Sequence, residues 1–205
     1  MADEQPAANV ADATARKRPK PGERRIQILQ ALAAMLEQPG SERVTTAALA
    51  AKLEVSEAAL YRHFASKAQM FEGLIEFIET SVFSLLNQIA QGPHEAPDKL
   101  LRMLTVLLQF AERNPGMARV MVGDALVFEN DRLHQRMNLF FDKVEASFRQ
   151  VLREAANSSA TPTVDAQAQA SVAMAFAVGR LHRFSRSGYK RSPLENLDAS
   201  LNFLI

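Results

Sequence analysis

The chain has 205 residues, 47% of them hydrophobic, with 24 Lys and Arg against 23 Asp and Glu and no cysteine. That is enough apolar material for one large domain or two small ones with a real core. The missing cysteine excludes disulfides, thiolate metal sites and cysteine nucleophiles. No apolar run approaches the ~20 residues needed to span a membrane, and the N-terminus lacks a signal peptide's apolar segment. A soluble, cytoplasmic protein is therefore expected. The net charge of +1 hides an uneven distribution, because Arg16, Lys17, Arg18, Lys20, Arg24 and Arg25 oppose only Glu23 in one short segment.

Taken in order, residues 1–21 are rich in Ala, Asp, Pro and basic residues without apolar period, which reads as a flexible basic arm. From about Glu23 to Gln38, Ile26, Leu29, Leu32, Ala33 and Leu36 recur at helical spacing, and Pro39 with Gly40 ends the run. Thr45 can cap a second helix with Ala48, Leu49 and Leu53 on its inner side. Ser56 can cap a third, with Ala59 and Leu60 inward and Glu57, Ala58, Tyr61, Arg62 and His63 outward or at its end. Two short helices joined by a tight turn, presenting small, aromatic and basic groups, have the form of a helix-turn-helix whose second helix enters the DNA major groove.

Ser66 with Gln69 forms a capping box for a long fourth helix striped by Met70, Leu74, Ile78, Val82, Leu85, Leu86 and Ile89, closed by Gly92 and Pro93. Pro97 starts a fifth helix with almost no polar face, expected to be central. Asn114 and Pro115 stop it and open a short sixth helix through Met117, Val120 and Met121. A seventh, from about Asn130 to Ala156, carries a stripe including Leu133, Met137, Phe140, Val144, Phe148 and Val151, and residues 157–163 read as a polar loop. The eighth, about Val164 to Ser187, is dense in alanine, which permits close helix approach. Ser192, Pro193 and Glu195 supply the start signals of a last helix bearing Leu194, Leu197, Leu201 and Leu204. No segment reads as a strand. The expected fold is all-α: an arm over 1–21, a three-helix DNA-binding head over 22–67, and a larger helical body over 68–205 for dimerisation and partner binding.

Enzyme chemistry finds little support. The four histidines, His63, His94, His134 and His182, are too dispersed for a metal pattern. Carboxylate pairs such as Glu72 with Glu76 lie at helix-surface spacing, in a chain without a phosphate-binding Gly-rich loop or nucleophile motif. No catalytic residue, metal or cofactor is expected. The Arg180, Arg183, Arg186, Lys190 and Arg191 cluster reads as a solvated cationic face at a helix C-terminus.

The tract VTTAALAAKLEVSEAALYRHFASKAQMF, from Val44 onward, resembles the DNA-binding head of TetR-family regulators, whose signature ends in a Leu-Tyr-x-His-Phe-x-x-Lys run, here Leu60, Tyr61, Arg62, His63, Phe64 and Lys67. The resemblance implies that Ser56 to Arg62 face the bases, that Tyr61, His63 and Lys67 approach phosphates, and that Thr45 and Thr46 join the interface. Glu54 stands where that family's turn usually has glycine, so the turn has to be reached without glycine's freedom at positive φ. Within that tract SEAALYRHF, and beyond it LIEFIE at 74–79, ERNPG at 112–116 and the run from Ala125 to Glu154, resemble the nucleoid-occlusion branch of the family. That branch implies a homodimer that sits on palindromic double-stranded DNA across the nucleoid and, while bound, antagonises assembly of the division protein FtsZ. It also implies an FtsZ-tail groove between the fourth and fifth helices involving Phe77, Arg113 and Asn114, with one basic contact replaced by Leu85. The alternative within the family is a transcriptional repressor released from its operator by a small molecule. A small-molecule inducer is not the expectation here, because few isolated polar residues are set among the apolar ones of the body.

Overall fold

A computed structural model describes residues 22–38, 43–158 and 165–201, so the arm, Pro39 and Gly40, most of the 157–163 loop and the last four residues lie outside the described residues. Nine α-helices and no strand occur among them: α1 Glu23–Leu36, α2 Thr46–Lys52, α3 Glu57–Tyr61, α4 Lys67–Gln91, α5 Ala96–Arg113, α6 Pro115–Met121, α7 Asp131–Ser158, α8 Ala166–Arg186 and α9 Leu197–Leu201. None is long and apolar enough to cross a membrane.

Helices α1 to α3 form the head. Its core joins Ile28, Leu32 and Leu36 of α1 to Val44, Leu49, Ala50, Leu60 and Phe64. The stripe on α1 is therefore rotated from the expected one: Ile28 is buried whereas Ile26 is 57% exposed. On α2, Ala50 takes the inner place expected of Ala48, which is exposed. Both shifts have one cause, since apolar residues crowd more of the helix circumference than its partners can cover, and periodicity then leaves the phase open.

Helix α4 runs from the head into the body, burying Met70, Phe71, Leu74, Ile75, Ile78, Val82 and Leu86. Helix α5 is central, as its sequence suggested, and packs against α4, α6, α7, α8 and α9. Helices α7 and α8 make the most extensive helix pair. Four buried alanines of α8, Ala166, Ala170, Ala173 and Ala177, lie on its inner side, where the missing side chains let backbones approach. The outer side of the same helix leaves Val172 47% exposed, and α7 leaves Leu139 49% exposed.

Two elements depart from their expected bounds. Residues 157 and 158 continue α7 instead of opening a loop. The last helix starts at Leu197 rather than near Pro193, because Asn196 adopts φ 53 and interrupts the helical path. Ser192 still accepts a hydrogen bond from the Leu194 amide at 3.2 Å, but in a turn. Arg180 is half-exposed but also tied down: it donates to the Glu195 carbonyl at 2.5 Å and to Ser200 Oγ at 2.8 Å, joining α8 to that turn and α9.

Head and body meet at a tight joint. Gly116 of α6 lies so close to α1 that a Cβ there would stand 2.2 Å from the Ala33 carbonyl oxygen. Nearby, the Leu36 carbonyl at the end of α1 accepts from Arg119 Nη1 at 3.1 Å and from the Tyr189 hydroxyl at 3.4 Å. Burial is the main cause pushing the Tyr189 phenol above its ordinary pKa, opposed by the nearby Arg119 charge.

Candidate DNA-binding interface and partner cleft

The helices α2 and α3 are only seven and five residues long, too short to stand on propensity. Side-chain caps define both. Thr45 Oγ1 accepts from the Ala48 amide at 3.1 Å, and Ser56 Oγ accepts from the Ala59 amide at 3.3 Å. The turn between them passes through Glu54 at φ 54. The left-handed conformation normally given to glycine is thus kept, and a glutamate bears its cost. The Val55 amide donates back to the Ala50 carbonyl at 3.0 Å, closing the turn.

This geometry exposes one surface. Glu57, Ala58, Tyr61, Arg62 and His63 are all exposed, Tyr61 at 45%, while Leu60 beneath them is buried. Thr45 is exposed and Ser56 lies at the same edge. Thr46 Oγ1 donates to the Glu57 carboxylate at 2.5 Å, so the two expected contacts lean on each other across the turn. Arg25 is a residue that motif spacing did not single out here. From α1 its guanidinium donates to the His63 carbonyl at 3.0 Å and lies 4.1 Å from the Phe64 ring centroid, bracing the C-terminal end of α3. Only the folded chain brings it there, 38 residues from its partner.

Lys67 opens α4, whose N-terminus is capped by Ser66 Oγ accepting from the Gln69 amide at 3.2 Å. Gln69 completes a variant of the expected box, accepting from the Ala65 amide at 2.9 Å, one residue before the cap. The Lys67 ammonium does not point into solvent. It is paired with Glu129 from the segment before α7 and lies 5.5 Å from the Phe71 ring centroid.

The expected partner residues divide. Phe77 is 48% exposed and stacks against Phe110 with ring centroids 6.1 Å apart. Phe77 and Asn114 line one cleft of about 350 Å³, but its opposite wall is α1, through Ile26, Leu29 and Ala33, with Met117 at the base. Asn114 spends its amide on the α5 end, donating to the Phe110 carbonyl at 2.7 Å. Arg113 is exposed and lines neither this cleft nor the groove that does run between α4 and α5. That second groove, of about 470 Å³, holds Leu85, Leu101, Val106 and Arg102, with Asp98 at its side. Phe77 therefore belongs to the α1-walled cleft, and the α4–α5 groove shares no lining residue with it.

Along α4, two further ion pairs bind it to α7: Arg132 with Glu72 at 2.7 Å and Arg136 with Glu79 at 2.6 Å. The hydrogen bonds that Arg136 donates to Glu79 are the leading cause raising the Arg136 pKa, with burial opposing them. Glu72 and Glu79 are thereby committed to joining α4 to α7.

Comparison with known proteins settles the family. Residues 28–74 match the family described as bacterial regulatory proteins, tetR family, and residues 97–205 match the tetracyclin repressor-like C-terminal domain of SlmA-like type. The nucleoid occlusion factor SlmA of Colwellia psychrerythraea is 48% identical over 194 residues, covering 94% of this chain and 98% of that protein. The chain belongs to the SlmA family of TetR-type regulators. SlmA of Photobacterium profundum is 51% identical over 178 residues, covering 85% of this chain and 90% of its own. Among solved structures, the TetR-family regulator PfmR from Thermus thermophilus superposes with a TM-score of 0.71 at 19% identity, covering 87% of this chain and 96% of that one. FadR from Bacillus halodurans reaches 0.74 at 14%, covering 92% and 96%. The TetR fold thus persists at identities where function does not transfer, whereas the SlmA likeness runs through head and body alike.

Proposed function

We propose that this protein is a nucleoid occlusion factor: a homodimer that binds palindromic DNA sites across the nucleoid and, while bound, antagonises FtsZ assembly. The observation that carries the reading is that near-half identity to SlmA extends over almost the whole chain, body included, on a head whose α3 presents Glu57, Ala58, Tyr61, Arg62 and His63 outward. In this reading α3 enters the major groove, Thr45, Thr46 and Ser56 flank it, and Tyr61, His63 and Lys67 approach phosphates. Two such helices have to lie about 34 Å apart to read successive major-groove faces, which calls for a dimer. The outer faces of α7 and α8, with Leu139 and Val172, supply the apolar surface for a four-helix seam across a twofold axis.

The FtsZ tail takes the exposed apolar surface around Phe77. Asn114 lines that surface beside Phe77, and Arg113, exposed one residue before it at the end of α5 though not part of the cleft lining, supplies a nearby cation for a short segment that is both acidic and hydrophobic. Titrating an FtsZ tail peptide against the DNA-bound dimer tests this. Saturable binding at near-physiological salt, weakened by Phe77→Ala, is expected; no binding to the wild-type complex sinks it. Chromosomal occupancy confined to one promoter would point instead to an operator-specific repressor.

A further inference from the structure

We propose that Glu129, a residue of the body, competes with the DNA backbone for Lys67 and so acts as an internal brake on DNA binding. The inference rests on the reading of Lys67 as a phosphate contact. A lysine at the first position of a helix faces the positive end of the helix dipole, and the first turn of α4 carries no acidic residue to compensate. Compensation comes from 62 positions away, where the Glu129 carboxylate meets Lys67 Nζ. The pair is shielded, the two side chains being 19% and 9% exposed.

Glu129 is also held in place. Its amide donates to the Leu126 carbonyl at 2.8 Å, and the same carbonyl lies 2.9 Å from His134 Nε2. Phosphate and carboxylate are both anions that complement a lysine at a helix N-terminus. Lys67 stands over Phe71 with Glu129 covering it, so reaching the DNA backbone means leaving both. The next two α4 to α7 ion pairs, Arg132 with Glu72 and Arg136 with Glu79, have the opposite polarity and keep the helices joined when the first pair opens. DNA binding then frees Glu129 and the segment carrying Val127 and Phe128, which are 62% and 63% exposed. By reciprocity, whatever captures that segment tightens DNA binding.

The carboxylate stabilises only the free state, so removing it strengthens binding. With the full chain and a palindromic duplex selected from random-sequence DNA, fluorescence anisotropy should show Glu129→Gln tightening binding by about three- to tenfold. Lys67→Ala should weaken it and reduce the salt slope by about one. Adding Glu129→Gln to Lys67→Ala should then change nothing. Binding by Glu129→Gln equal to or weaker than wild type overturns the proposal, as does an equal gain in the Lys67→Ala background, which would reveal a general charge effect. Lys67→Ala binding like wild type would instead remove the phosphate reading itself. Thermal melts check folding. Should Glu129→Gln fail to fold, Glu129→Asp, with a shorter reach to Lys67, should give a smaller gain of the same sign, and no gain from it counts against the brake.

Discussion

In the head, helices of seven and five residues take their limits from Thr45 and Ser56 hydroxyls, whereas in the body helices of 25, 18 and 28 residues take theirs from long apolar stripes. The difference is one of scale. A helix of one or two turns has too few side chains to bury, so satisfying its free amides decides whether it forms. A long helix buries enough apolar surface that its ends matter little. DNA recognition, which needs fixed side chains on a small exposed helix, therefore rests on a few polar contacts. The partner binding proposed above would instead use apolar surface left over from packing, around Phe77 and along α8.

Variants can break this contrast at its joint or sharpen it inside the head. The largest effect is expected at Gly116, where head and body touch. Gly116→Ala puts a Cβ 2.2 Å from a backbone oxygen that cannot yield as a flexible side chain would. Chemical denaturation should show a loss of about 2 kcal/mol or more. Gly179 of α8 makes a control, since a Cβ there meets nothing within 4 Å of the single chain. Next comes Ser56→Ala, which removes the α3 cap and should cost about 1 kcal/mol. Its DNA affinity should fall as well, because α3 carries the proposed contacts; unchanged affinity would mean that packing of Leu60 alone orients the helix. The smallest is Glu54→Gly in the turn. Relief of a left-handed residue, roughly 1–2 kcal/mol, exceeds glycine's entropic cost of about 0.5–1 kcal/mol. A net gain of about 0.5 kcal/mol, read as a small rise in Tm, is expected.

Much of the fold was legible because its signals are local. Ser66 and Gln69 before α4, Pro115 opening α6 and the stripes of α4 and α7 each act within a few residues. So do Thr45 and Ser56, whose positions also mark the outward face of α3. The phase of α1 was not legible, since Ile26 and Ile28 are equally apolar and only the partners of α1 decide which is covered. The walls of the Phe77 cleft were not legible for the same reason: Phe77 and Asn114 line it with α1, a neighbour distant in sequence.

By itself, then, the sequence determined an all-helical fold, the order of the nine helices among the described residues, the helix-turn-helix with its caps, and the likeness to TetR-family regulators. These follow from periodicities and caps that act over one or two turns. The tertiary structure alone decided that Glu54 bears the left-handed turn, that Arg25 braces the end of α3, that Gly116 lets α6 touch α1, and that Lys67 is held by Glu129. Three of these join residues distant in the chain, and the fourth depends on how α2 and α3 dock, so each is fixed by packing that no local pattern encodes.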